Sequence, residues 1–104
     1  MTKFDVIIEP TAEKDLYGIL TYISETLLEP AIAKRIYMSI KEQVLSLSDM
    51  PLRYALIDEE PYRSMSVRKI PVENYIAFYI VDESHHTVHV FRILYNRREW
   101  QNLI

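Results

Sequence analysis

Cysteine is absent from the 104-residue chain, and glycine occurs once, at Gly18. Without cysteine there is no disulfide framework and no thiolate metal cage, so nothing in the composition requires an oxidising compartment. A single glycine excludes a glycine-rich phosphate loop. The turns must therefore be built from proline, asparagine, aspartate and serine.

Long apolar runs and a strong positive charge are also missing. No stretch approaches the roughly 20 apolar residues that a membrane span needs, and the N-terminus alternates charged and apolar residues instead of forming a signal-peptide core. The 15 acidic and 12 basic residues give a net charge of −3, which argues against a strongly basic nucleic-acid binder. We expect a cytoplasmic protein without membrane contact, in which any phosphate contact is local.

The residues that are present have the composition of a globular protein. Hydrophobic residues make up 49% of the chain and charged residues 26%, a balance that favours a packed core over disorder. The sequence shows no repeat, linker or low-complexity block. We therefore expect residues 1–104 to form a single domain.

The spacing of apolar residues predicts the order of the elements. Apolar residues alternate over residues 4–9, which predicts a strand ending at Pro10. Helical spacing follows over about 12–28 and from Pro30 to about 48. Strand-forming residues then dominate around 62–70, 74–82 and 87–95. The pattern predicts an α+β fold with an N-terminal strand, a two-helix hairpin, an antiparallel sheet and a short C-terminal helix at 97–104.

Four segments in this order resemble the RelE/ParE superfamily of toxins, the plasmid stabilisation proteins of type II toxin–antitoxin systems. They are IEPTAEKDL at residues 8–16, Ile19 with Tyr22 and Ile23, VRKIPVENYIAFY at 67–79 after Pro51, and VFRILYNRR at 90–98. The resemblance covers nearly the whole chain and implies the same fold as the periodicity. It also implies a cognate antitoxin partner, and with it a toxin–antitoxin hetero-oligomer.

One branch of this superfamily is that of RelE, a ribosome-dependent mRNA endoribonuclease. Attack of a ribose 2′-hydroxyl on the neighbouring phosphate needs a base, an acid and cations that match the growing negative charge. The catalytic candidates that the resemblance leaves for this chemistry are Arg68, Arg92, Tyr95 and Arg98. The chain departs from the ribonuclease pattern at two positions: Ile76 follows Tyr75 where that branch has arginine, and Leu94 precedes Tyr95 where one subgroup has histidine.

The other branch is that of ParE, which poisons DNA gyrase through protein contact and needs no hydrolytic residues. The aliphatic Ile76 and the acidic net charge favour this interpretation. A third alternative is a degenerate, non-toxic interaction module. The sequence thus leaves open whether the chain is an enzyme and whether its target is DNA gyrase or the ribosome with its mRNA.

Further residues are candidates for contact with the target or the antitoxin. They are Arg63, Lys69, Arg97 and Trp100. Each has an ordinary alternative, because surface arginines and lysines commonly pair with acids or blunt a sheet edge. No cofactor or metal is expected, since His85, His86 and His89 lack a dependable fourth ligand.

Overall fold

The computed structural model describes residues 3–96. The elements are, in chain order, β1 (Asp5–Ile8), α1 (Pro10–Thr21), a π-helical segment (Tyr22–Thr26), α2 (Pro30–Leu45), 3-10 turns at Ser46–Ser48 and Pro51–Arg53, β2 (Arg68–Val72), β3 (Tyr75–Asp82) and β4 (Thr87–Tyr95). A strand, a helical hairpin and a sheet thus follow one another as predicted. The expected helix at 97–104 lies outside the described residues.

The four strands form one sheet in the order β1-β4-β3-β2. The predicted antiparallel pairing holds for β2 with β3 and for β3 with β4. β1 instead pairs in parallel with β4, so that Ile8 lies opposite Val90. A parallel pair requires a long crossover, which the helical hairpin and the β2–β3 hairpin provide here.

The two faces of the sheet are covered by different parts of the chain. Both helices pack on one face, as predicted, where Ile40 and Val44 of α2 join buried residues such as Ile70, Tyr79 and Val90. The opposite face is covered by the segment between the helices and β2. This second buried cluster consists of Ile57, Val67, Ile76, Phe78 and Leu94. The strand β3 therefore contributes alternate residues to both cores, which explains its nearly continuous hydrophobic sequence.

Strand β2 begins at Arg68, several residues later than the apolar pattern suggested. The amide and hydroxyl of Ser64 donate to Glu60 Oε1 at 3.1 and 2.6 Å, and the Val67 amide donates to the Tyr62 carbonyl at 3.0 Å. These bonds close a turn where a strand was expected. From this turn Tyr62 packs against the second buried cluster. Its aromatic side chain therefore belongs to that core and does not mark a strand.

Candidate functional site

A carboxylate–guanidinium pair joins helix α1 to strand β4. Arg92 donates from Nε and Nη2 to the two carboxylate oxygens of Asp15, at 2.7 and 3.1 Å. The amide of Ile93 donates to the same carboxylate at 3.0 Å. The Arg92 and Asp15 side chains are only 23% and 16% exposed. A bidentate pair in such a partly desolvated position fixes how α1 lies against the sheet.

Asp15 sits where β1 stops covering the edge of β4. β1 pairs with β4 as far as Ile8 opposite Val90, and the Glu9 amide then donates to the Val90 carbonyl. Beyond that point no strand of the described residues lies along the β1 side of β4, and the Asp15 carboxylate accepts the hydrogen bond of the Ile93 amide there. No sequence pattern connects Asp15 with Arg92, which stand 77 positions apart. Sequence reasoning therefore missed Asp15.

A groove of about 930 Å³ opens beside this pair, between α1 and the end of β4. We call it the α1–β4 groove. It is lined by Thr11, Lys14, Asp15, Gly18, Ile19, Tyr22, Ile23, Leu27, Tyr75, Arg92, Ile93, Leu94 and Tyr95. The helical members recur every three or four residues, so they form one side of α1 and of the π-helical segment. Two of the predicted catalytic candidates, Arg92 and Tyr95, thus share one groove.

Aromatic side chains form the far end of the α1–β4 groove. The rings of Tyr75 and Tyr95 meet edge to face, with centroids 5.6 Å apart. Burial raises the pKa of the Tyr75 hydroxyl, and the neighbouring Tyr95 raises it further. Across the groove, Tyr22 and Leu27 remain 55% and 50% exposed. This end therefore offers neutral, largely apolar surface.

Arg68, the third candidate, binds backbone at the other end of the sheet. Its Nη1 donates to the carbonyls of Leu52 and Tyr54, at 3.2 and 2.6 Å. The buried Tyr79, opposite Arg68 on β3, donates its hydroxyl to the Pro51 carbonyl at 2.6 Å. Together these bonds hold the turn that follows α2 against the sheet. Arg68 thus has an evident structural role.

The strand register keeps Arg68 away from Tyr95. Arg68 lies opposite Tyr79 on β3, whereas Tyr95 lies opposite Tyr75. The two positions are consequently separated by about 13 Å along the strands and about 10 Å across them. The described residues therefore bring Arg92 and Tyr95 together but leave Arg68 apart, and Arg98 lies outside the described residues.

The predicted contact residues are scattered. Arg63 forms an exposed ion pair with Asp58 at 2.8 Å, and Lys69 stands on β2 opposite Phe78. Arg97 and Trp100 lie outside the described residues. Neither of the two that can be placed belongs to the α1–β4 groove.

The sequence of this fold matches a known family. Residues 6–100 fit the family described as ParE toxin of type II toxin-antitoxin system, parDE. The chain belongs to this ParE toxin family. It is accordingly a type II toxin of the RelE/ParE superfamily, as the resemblance of its sequence segments indicated. No curated protein sequence matches this ParE-family chain.

Solved structures share the fold of this ParE-family chain. One belongs to the chromosomal ParDE toxin–antitoxin system from P. aeruginosa, at 23% identity and a TM-score of 0.72, covering 89% of this chain and 96% of that one. Another is the toxin–antitoxin complex RelBE2 from Mycobacterium tuberculosis, at 23% identity and a TM-score of 0.65, covering 90% and 99%. At this identity the likeness establishes the architecture. Within residues 3–96, the helices are too short or too polar to cross a membrane.

The helical hairpin of this ParE-family chain carries a second, shallower depression. It lies between α1 and α2 on the side away from the α1–β4 groove, and we call it the hairpin surface. It is lined by Tyr17, Leu20, Thr21, Ser24, Glu25, Ala33, Lys34 and Tyr37. Tyr17 is 71% exposed, so its ring is accessible to a partner at this surface.

Proposed function

We propose that this ParE-family toxin arrests bacterial growth by binding a protein target, DNA gyrase, and that it does not cleave RNA. The observation that carries the proposal is that two of the candidate catalytic cations are already bound by acceptors of the chain itself. Arg92 is held by Asp15 in a two-pronged pair, and Arg68 by two backbone carbonyls. A phosphate would have to compete with these partners for both guanidinium groups.

The position of the hydroxyl and charged groups also supports binding over cleavage. A ribonuclease must place its acid and its cations around a single phosphate. Arg68 and Tyr95 are instead separated by about 13 Å along the strands and about 10 Å across them. The nearest charge to Arg92 in the α1–β4 groove is a carboxylate, which repels a phosphate. The net charge of −3 also disfavours broad contact with RNA.

A cognate antitoxin is the second partner that we propose, in a toxin–antitoxin hetero-oligomer. The hairpin surface supports this assignment because it exposes Tyr17 and Tyr37 beside Lys34. An amphipathic antitoxin helix would cover the two rings and place an acidic side chain at the lysine. We propose Arg63 and Lys69 as further contacts with the antitoxin or the target, and the whole of 1–104 as one functional domain.

The target is tested by inducing the toxin in growing bacteria while DNA and protein synthesis are followed by pulse labelling. We expect DNA synthesis to fall first, and the purified toxin to inhibit supercoiling by gyrase while leaving ribosome-bound mRNA intact. An early stop of protein synthesis with mRNA cleavage would instead establish the ribonuclease alternative. Harmless expression of folded protein would establish a non-toxic interaction module.

One variant makes the same experiment chemically specific. Tyr95→Phe removes the hydroxyl that a ribonuclease would use as an acid and keeps the ring that packs on Tyr75. We expect this variant to remain toxic, since binding relies on the ring. Tyr37→Phe on the hairpin surface is the matched control. Loss of toxicity in Tyr95→Phe alone would contradict the gyrase proposal.

A further inference from the structure

The turn between α1 and α2 holds a leucine in a backbone conformation that does not suit it. Leu28 has a φ of 56°, in the left-handed region, and helices that end in this way usually carry glycine or asparagine there. A larger side chain is costly in this conformation because its Cβ lies too close to the following carbonyl oxygen. The Glu29 amide donates to the Ile23 carbonyl at 3.0 Å, which is the bond that typically closes such a helix end. The local fold therefore favours glycine at a position where the chain carries leucine.

Burial does not explain this leucine. The Leu28 side chain is 76% exposed, so packing within residues 3–96 offsets little of the conformational cost. The segment before it is irregular as well, since the Leu27 amide donates to the Tyr22 carbonyl five residues earlier in a π-helical bond. Strained backbone and π-helical turns are both concentrated at functional sites. Two irregularities thus meet at one apolar side chain that is left in solvent.

Leu28 belongs to an exposed apolar cluster, which we call the hairpin tip (residues 27–32). Leu27 and Ile32 expose apolar side chains within the same six residues. Leu27 also lines the α1–β4 groove, so the hairpin tip continues the surface that contains Tyr95. A contiguous apolar surface of this kind is typical of a site where another protein binds.

The charge around the hairpin tip is negative. Glu29 within it and Glu25 just before it are both exposed, and residues 15–33 contain no lysine, arginine or histidine. Residues 30–41 show the reverse, since their charged side chains are all basic, beginning with Lys34. An acidic antitoxin side chain is therefore favoured beside Lys34 and repelled at the tip. The hairpin tip instead suits a partner whose apolar pocket is edged with basic residues.

We propose that the hairpin tip is a contact surface for DNA gyrase, with Leu28 as its central anchor. The inference rests on the proposed function, because it takes gyrase as the target. An enzyme that holds DNA carries basic surface for the phosphates, and such surface complements Glu25 and Glu29. In the complex the Leu28 side chain leaves water, which offsets a backbone cost that the free toxin already bears. The toxin thus presents the anchor in a fixed position before it meets the target.

Glycine at position 28 separates the side chain from the backbone. Leu28→Gly suits a φ of 56° and removes the anchor. We expect inhibition of gyrase supercoiling by the purified full-length toxin to weaken by about tenfold or more, as for a leucine buried in an interface, while the urea midpoint of the toxin does not fall. Leu28→Asn also tolerates this conformation and should behave in the same way. Unchanged inhibition in both variants would overturn the inference and leave the gyrase proposal intact.

Met50→Gly is the matched control. Met50 is also exposed with a positive φ, of 48°, but a structural bond accounts for its conformation, since Arg53 Nη1 donates to its carbonyl at 3.2 Å. We expect Met50→Gly to inhibit gyrase like the parent. Equal losses in Met50→Gly and Leu28→Gly would refute a specific role of the hairpin tip. A parent toxin that arrests growth without inhibiting gyrase would refute the gyrase proposal itself, and with it this partner for the tip.

The charges are tested separately. A double variant with Glu25→Gln and Glu29→Gln should associate with gyrase more slowly and with a weaker dependence on salt, because charges at the rim of an interface act on the association rate. Glu42→Gln, exposed on α2 outside the tip, is the control. An association rate that the double variant leaves unchanged contradicts a basic partner surface. If Leu28→Gly keeps gyrase inhibition but loses binding to the cognate antitoxin, or to a second copy of the chain in sedimentation, the tip belongs to that partner and the inference fails.

Discussion

The Asp15→Ala substitution should destabilise the toxin more than any other single change of a surface-accessible carboxylate. It removes the bidentate partner of Arg92 and the acceptor of the Ile93 amide. Breaking a fully buried ion pair costs about 3–5 kcal/mol, and an exposed pair contributes about 0–1 kcal/mol. Because the two side chains are only 23% and 16% exposed, we expect a loss of about 2–4 kcal/mol, close to the buried limit.

Such a loss is large against the total stability of a domain of this size, which is about 5–15 kcal/mol. The corresponding fall in melting temperature is about 10–25 °C. Urea unfolding followed by far-UV circular dichroism measures the free energy directly. Glu42→Ala, which removes the same charge from an exposed position on α2, is the matched control and should change the stability by less than about 0.5 kcal/mol.

A double variant distinguishes a lost partner from a lost contact area. In Asp15→Ala the Arg92 guanidinium keeps its charge but loses this carboxylate. The double variant Asp15→Ala with Arg92→Met should therefore be more stable than Asp15→Ala alone. The reasoning is refuted if Asp15→Ala unfolds at the same urea concentration as the parent. It is refuted equally if the double variant is less stable than Asp15→Ala alone, since the pair would then be incidental.

Three further predictions concern the hydrogen bonds of Tyr79 and of the β3–β4 turn. Tyr79→Phe leaves the Pro51 carbonyl without the bond at 2.6 Å and should cost about 1–3 kcal/mol in urea unfolding; an unchanged midpoint would show that the bond contributes nothing. Burial raises the pKa of Tyr79 to about 12, so the unfolded chain, with a tyrosine pKa near about 10, loses this proton first. The stability should therefore fall as the pH rises from about 10 to about 12, by about 2–3 kcal/mol, and the Tyr79→Phe protein should lack this part of the alkaline loss. In the β3–β4 turn, the Ser84 hydroxyl is the main cause that lowers the pKa of Asp82 to about 2, so Ser84→Ala should raise the titration midpoint of that carboxyl in NMR, and a midpoint that stays near 2 would contradict the assignment.

The sequence identified individual residues of the site better than it identified which of them lie close together in the structure. Arg92 and Tyr95 were both named as catalytic candidates within the predicted strand at 87–95, and the structure places both in the lining of the α1–β4 groove. Arg68 was grouped with them because it is basic and lies in another of the segments that carry the resemblance. Its place at the far end of β2 depends on the register of three strands, which a single sequence does not reveal.

The local order of the elements was determined by the sequence alone, because the period of apolar residues changes from two to 3.6 and back along the chain. The strand, the hairpin and the sheet followed from this pattern, and four sequence segments carried the resemblance to the RelE/ParE toxins. The parallel pairing of β1 with β4, the Asp15–Arg92 pair and the groove beside them were decided only by the tertiary structure. Each of these joins residues about 80 positions apart, and such contacts arise from how whole elements pack, for which local spacing carries no signal.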